Sequence, residues 1–375
     1  MTGAAGAAAR RAAERIAAER LFARFQAAGA LPVDAEILLP ADTLLDLYGE
    51  DIRARAYVTA DPLEGEMMLR PDFTVPVVQM HMAHGAEPAR YTYMGEVFRR
   101  QEHLGQRARE YLQVGYELFA REAPEEADAE VFALFAELLA PLRLRAATGD
   151  IGILMAAVRG LSTSERRRAA LLRHIWRPRR FRALLDRFGG RSPQPEPRAK
   201  LLAALTSRPL DRMIAAAGPA IGLREADEVA ARAAALAEDA ATPPLSGAEV
   251  DALDDLLDLR DTAPAALGHL RDLAVDLPSI GAAVDRFARR LDALARHGIA
   301  IEGLDFEASH GRTTLEYYDG FVFSFHAEGA PELPPVASGG RYDALTRVLG
   351  QGRSIPAVGG VIRPGLIVAL QEGAA

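Results

Sequence analysis

Cysteine is absent from the 375 residues. That excludes disulfides, thiolate zinc sites, iron–sulfur ligation and a thiol nucleophile. Lys200 is the only lysine, and no glycine-rich loop surrounds it, so there is no Walker loop for a nucleotide phosphate. No Gly-x-Ser-x-Gly elbow appears. No apolar run approaches the roughly 18 residues that span a bilayer. The Ala-rich beginning is interrupted by Arg10, Arg11, Glu14 and Glu19, unlike a secretory signal, and a cytoplasmic location is the expectation. Positive charge is in deficit: 44 Lys and Arg face 52 Asp and Glu, a net charge of -8. A chain of that balance is a poor default partner for nucleic acid.

What is present is a large apolar fraction, 49%, enough to bury a sizeable core. The length fits two or three domains of roughly 150 residues, or one large domain with an insertion. Residues 4 to 28 read as one helix with Ile16, Leu21, Phe22 and Phe25 on one side, ended by Gly29 and Pro32. Short β-type runs follow at 55–60, 91–98 and 110–119. Pro124 to about Leu139 is helical, with acidic residues at its start. A mostly helical stretch then runs from about 160 to 297. Strands return near 304–309 and 315–326, followed by a Gly-Gly turn and a final helix. The β-rich ends are expected to form one mostly antiparallel sheet of an α+β fold, over 1–160 and 299–375. Residues 161–298 form a helical insertion in it.

The segment 159–191 holds 11 arginines against Glu165 and Asp186, so 11 minus 2 is +9 and the rest of the chain is -17. It reads either as an anion or nucleic-acid patch or as a solvated helical face. Trp176 and Phe181 in it fit base stacking or, at helical spacing, core. His81 and His84 sit at i, i+3 on a helix, half of a metal site without a third ligand. They read better as structural residues, as do His310 and His326.

Four segments carry more. Leu69 to Thr74 reads Leu-Arg-Pro-Asp-Phe-Thr at a strand end before a helix. Tyr91 to Gln101 returns, after a turn, as Arg109 to Glu117. The third is Leu315-Glu316-Tyr317-Tyr318-Asp319-Gly320, and the fourth Ser338-Gly339-Gly340-Arg341-Tyr342-Asp343. In a strand, residues two apart share a face, so Gln113, Gly115 and Glu117 project together. Leu112, Val114, Tyr116 and Leu118 face the other way. Gln113 and Glu117 are then ~13 Å apart with a glycine gap between them. That is either the floor of a small-ligand pocket or the solvated face of a one-sided sheet.

Together, in this order, the four segments resemble the catalytic core of class II aminoacyl-tRNA synthetases, and within them the histidyl-tRNA synthetase family. The likeness covers about 35–160 and 304–370. It implies that Asp72, Thr74 and Gln113 hold the α-amino group of histidine. Glu117 and Tyr318 would hold its imidazole nitrogens, and Tyr342 would line the site. Acceptor-only carboxylates suit an ammonium, and a carboxylate facing a tyrosine hydroxyl can read two ring nitrogens.

The ATP-activating machinery departs from that family. Arg99 matches the motif 2 arginine, but Gln101 stands in place of the acid that follows it. The second catalytic arginine falls on Thr313, with Arg312 beside it on what would be the opposite strand face. The arginine of motif 3 falls on Leu366, with Arg363 three residues early. Arg99, Arg109 and Arg341 are then remnants of an ATP site. Losing two charge-stabilising arginines costs roughly 100-fold or more each. No anticodon-binding domain is expected after the final helix. This combination resembles the synthetase-like regulatory subunits of ATP phosphoribosyltransferase, a non-catalytic family in histidine biosynthesis. That resemblance implies no cofactor and no catalytic residue in this chain, and a short-form catalytic subunit as partner in a hetero-octamer. It further implies a self-dimer through the motif 1 region near Ile37 to Pro40, and feedback by free histidine. A short histidine-activating enzyme and a stand-alone histidine sensor or RNA-binding module are the alternatives.

Overall fold

The computed structural model describes residues 4–48, 52–100, 108–218, 224–312 and 317–373. Gln101, Thr313, Leu315 and Glu316 lie outside the described residues. The chain divides into two compact units, one of 1–153, 258–270 and 282–375 and one of 154–257 and 271–281.

Among the described residues, twelve strands belong to the first unit. They are β1 (Leu31–Pro32), β2 (Leu38–Pro40), β3 (Val58–Asp61), β4 (Gly65–Leu69), β5 (Ala89–Phe98), β6 (Glu110–Phe119) and β7 (Arg145–Asp150). Then follow β8 (Arg260–Thr262), β9 (Asp305–Glu307), β10 (Phe321–His326), β11 (Ala337–Arg341) and β12 (Ala357–Ile362). Nine make one sheet in the order β1-β5-β6-β12-β11-β10-β7-β9-β8, and β2-β4-β3 make a small second sheet. Within the large sheet only β1–β5 and β7–β9 pair in parallel. The fold is the expected α+β arrangement around a mostly antiparallel sheet.

Alternation along β6 sets the two faces of this sheet. Tyr116 turns toward the helix Ala4–Ala27, its ring centroid 5.3 Å from that of Phe25. That helix buries Ala18, Leu21 and Phe25, while Ile16 is half exposed, so the apolar stripe is narrower than its sequence suggests. The helix Pro124–Leu139 lies on the same face. It starts with Pro at its first turn and Glu125 and Glu126 beside its N-terminus, as the dipole favours. Its Phe132 and Phe135 pack on Phe323 of β10, with centroids 5.5 Å apart in both pairs. Gln113 and Glu117 lie on the opposite face. Neither is solvated there, both being buried.

Several expectations need correction. Ile52–Arg55 is helical, so the run 55–60 begins as a strand only at Val58. Ser338 to Arg341, read as a turn, belongs to the buried central strand β11. A Cβ on Gly339 would sit 2.4 Å from the Gly359 carbonyl oxygen, and one on Gly340 2.6 Å from that of Phe321. These glycines mark close backbone approach rather than a bend. The stretch 161–298 is not wholly one insertion either. β8 pairs with β9 in the large sheet. The helix Gly281–Arg296 sends Arg290 to Asp128 and Asp150 at 2.8 Å each. Asp128 also accepts two bonds from Arg341, at 3.0 and 2.7 Å. Four charged groups thus close a buried network within the first unit.

The second unit is helical, with Leu171, Ile175, Phe181, Leu185, Leu253 and Leu256 in its core. Much of the basic segment is neutralised inside it. Arg182 and Arg191 pair with Asp254, and Arg167 donates to Asp239 at 2.7 Å. Phe181 is core, and Trp176 is half-buried.

Candidate functional site

β6 carries Gln113 and Glu117 into a narrow cleft with only about 10 Å³ open to a water molecule. β12 runs beside β6 with Gly359 opposite Glu117. A Cβ on Gly359 would meet Glu117 Oε2 at 1.6 Å, so only glycine leaves the carboxylate its place. The segment after β4 supplies Asp72, and the first turn of the helix Thr74–His84 supplies Thr74. Tyr317 and Tyr318, between β9 and β10, and Tyr342, after β11, complete the apolar wall. All six expected histidine-binding residues, Asp72, Thr74, Gln113, Glu117, Tyr318 and Tyr342, therefore line one cleft.

Glu117 is the hub. Its Oε1 accepts from Thr74 Oγ1 and from the Tyr93 hydroxyl, both at 2.9 Å. Its Oε2 accepts from the Tyr342 hydroxyl at 2.6 Å. Burial pushes this carboxyl up to about 7, against the three hydroxyls that favour its charged form. Burial and the Glu117 charge push Tyr318, Tyr342 and Tyr93 above the ordinary tyrosine value. They are donors at any physiological pH.

Two details depart from the expected layout. The gap above Gly115 is filled: a Cβ there would lie 2.1 Å from the Tyr93 ring, which stacks on Phe73 at 4.4 Å. Tyr93, three residues into the second segment, is a site residue whose role follows only from β5–β6 pairing, Tyr93 opposite Gly115. Thr74 sits at the Glu117 end of the cleft rather than beside Gln113 alone. Gln113 differs from every other polar group here. Its side-chain oxygen and nitrogen are both buried with no hydrogen-bond partner among the described residues. An amide so placed costs about 1–3 kcal/mol until a ligand or water satisfies it.

The arginines separate. Arg99 lines the cleft and donates from Nε to the Pro71 carbonyl at 3.0 Å. Arg363 also lines it, anchored on the Pro335 carbonyl at 2.7 Å and on Ser338 Oγ at 3.2 Å. It lies three residues before the motif 3 position in sequence, and the fold brings it to the cleft. Arg109 is exposed and joins the region only through its carbonyl, which accepts from the Arg99 amide at 2.8 Å. Arg341 faces away into the Asp128 network. Neither lines the cleft, and the buried Asp128 carboxylate holds Arg341 away from it. Arg312 is buried but does not line the cleft. His81 is core, its Nδ1 3.1 Å from the Tyr91 hydroxyl and its ring stacked on Phe119. Among the described residues no cluster of metal-ligating side chains occurs. No helix there is long and apolar enough to cross a membrane.

A large antiparallel sheet with helices on one face, and a polar cleft on the other, defines a class II synthetase-like fold. A solved Bacillus halodurans structure titled ATP phosphoribosyltransferase regulatory subunit/histidyl-tRNA synthetase shares it, with a TM-score of 0.67 over 96% of this chain and 79% of that one at 21% identity. A histidine–tRNA ligase subunit from Alicyclobacillus acidocaldarius shares it too, with a TM-score of 0.59 over 97% and 94% at 24% identity. The Histidyl-tRNA synthetase family model matches residues 7–261 and 229–364. The ATP phosphoribosyltransferase regulatory subunit of Brucella anthropi is 34% identical over 345 residues, 87% of this chain and 89% of that protein. That of Brucella canis is 34% identical over 340 residues. The chain belongs to the histidyl-tRNA synthetase-like family of ATP phosphoribosyltransferase regulatory subunits.

Proposed function

We propose that this chain is a non-catalytic regulatory subunit acting on an ATP phosphoribosyltransferase catalytic subunit in histidine biosynthesis, and that free histidine binds in the Glu117 cleft. The likeness to the Brucella subunits across 87% of the chain supports the first part. The Gln113 amide, buried in the same cleft as the Glu117 carboxyl and without a hydrogen-bond partner among the described residues, supports the second. In this reading Gln113 and Asp72 take the α-amino and carboxylate end of the ligand. Glu117 takes one imidazole nitrogen, and Tyr318 takes the other. The cleft must widen to admit the amino acid, displacing at least one of the hydroxyls from Glu117. Histidine can then shift the catalytic partner only by binding the closed and open forms unequally. A hetero-octamer with short-form catalytic subunits, built on a self-dimer near Ile37 to Pro40, belongs to the same proposal. So does a cytoplasmic location.

Reconstitution tests it. The chain is mixed with a short-form catalytic subunit, and complex size, phosphoribosyl-ATP formation and inhibition by histidine are measured. Activation on mixing supports the proposal; a catalytic subunit indifferent to this chain overturns it. A second reading, a histidine-activating enzyme, draws on the two guanidinium groups at the cleft, Arg99 and Arg363. Robust histidine-dependent ATP–pyrophosphate exchange by this chain alone would favour that reading.

A further inference from the structure

The helical unit contains a second cleft, of about 390 Å³, unrelated to the Glu117 site. It is walled by the helices Glu165–Arg173, Pro178–Phe188, Glu196–Ser207 and Ala226–Ala241. Five arginines line it, Arg166, Arg167, Arg187, Arg198 and Arg232, around the single carboxylate Asp239. Asp239 is largely occupied. Its Oδ1 accepts from Arg167 Nε at 2.7 Å, and its Oδ2 accepts from Arg198. Arg167 spends its other nitrogens on the backbone carbonyls of Asp239, Thr242 and Pro243, so it is a fixed part of the wall.

The remaining guanidinium groups are poorly matched. Arg187 reaches Asp239 Oδ2 only at 3.5 Å, and Arg166 reaches Glu238 only at 3.7 Å. Arg232 is exposed on the helix Ala226–Ala241. Five cations against Asp239 and Glu238 leave 5 minus 2, a formal excess of +3. Burial, with the Arg198 and Arg167 charges, depresses the Arg187 pKa despite Asp239. Like charges crowded about one carboxylate are an arrangement that a multivalent anion relieves, and guanidinium forks match phosphate oxygens.

We propose that this cleft binds a small di- or polyphosphate, with Arg166, Arg187 and Arg232 as its donors and Arg167 and Arg198, tied to Asp239, as the fixed cations behind them. The volume of this open cleft lies in the range of small-molecule sites. An extended nucleic-acid track would need exposed stacking groups. Phe188, the aromatic residue in this wall, is buried, and the Arg167 and Arg187 guanidinium groups lie over its ring at 5.0 and 4.7 Å.

The test is titration calorimetry of the full chain with inorganic pyrophosphate and tripolyphosphate, with orthophosphate and a short RNA duplex as controls. Saturable binding is expected, tighter for tripolyphosphate than for orthophosphate. Arg232→Ala and Arg187→Ala are each expected to weaken it about tenfold. Arg232 is exposed, so its variant keeps the fold, and an unchanged thermal melt checks that. No saturable binding, or binding by both variants equal to that of the parent chain, overturns the proposal. RNA binding with steep salt dependence and no small-anion binding replaces it with a nucleic-acid surface.

Discussion

Glu117→Gln isolates the hub of the cleft. In the folded chain burial holds the Glu117 carboxyl near 7, against 4.5 for an ordinary glutamate. The folded state therefore binds this proton more tightly than the unfolded chain does. A carboxyl displaced upward reverses the usual carboxylate case. Its cost to stability is absent below about pH 4.5, grows as pH rises toward 7, and is constant above. The full cost is about 3 kcal/mol at about 1.4 kcal/mol per pH unit. Glutamine is neutral at every pH. Its Oε1 can keep the bonds from Thr74 and Tyr93, and its Nε2 can donate to the Tyr342 oxygen, so the network survives with one bond reversed. Urea unfolding of both proteins from pH 5 to 8.5 gives the difference in stability. Asp319, which burial also raises to about 7, cancels because both proteins carry it. The variant is expected to gain about 2–3 kcal/mol relative to the parent between pH 5 and 8. A difference independent of pH would refute the raised carboxyl and, with it, the burial argument.

Three further outcomes follow from the same geometry. Gln113→Leu removes the unpaired amide, so stability should stay within about 1 kcal/mol or rise, while histidine affinity by calorimetry falls about tenfold or more. Gly359→Ala forces the Glu117 carboxylate from its place, so it should cost about 1–3 kcal/mol in urea unfolding and abolish histidine binding. Asp128→Ala strips the shared partner from Arg290 and Arg341 inside the protein. It should cost about 3–5 kcal/mol, which destabilisation at neutral pH in chemical denaturation would register.

The helix Pro124–Leu139 was legible to the residue, because a proline and two acids mark its start and phenylalanines at helical spacing mark its face. The alternation of β6 was equally legible. β7, β8, β11 and β12 were not. β11 and β12 are short and interrupted by paired glycines, and β8 lies among helices, so no period of two stood out. Arg341 and Asp128 illustrate a related limit, since a charged residue in a motif reads as a ligand contact until a buried partner 213 positions away claims it. Arg109 illustrates the converse, a motif residue left exposed.

The absence of cysteine, the lone lysine and the four ordered segments were enough to set the class of protein, because each depends on residue identity alone. Six residues of one pocket could also be named, because the resemblance to the histidyl-tRNA synthetase family implies them position by position. What only the folded chain decided was how those residues meet. Tyr93 fills the space above Gly115, three hydroxyls hold Glu117, Gln113 is left without a partner, and Arg363 rather than Arg109 or Arg341 reaches the cleft. Each of these depends on strand pairing across long separations in sequence, which no local pattern encodes. The same holds for the basic segment 159–191. Its charge was visible from composition, but only tertiary packing divided it into arginines paired with Asp239 and Asp254 and arginines still facing an open cleft.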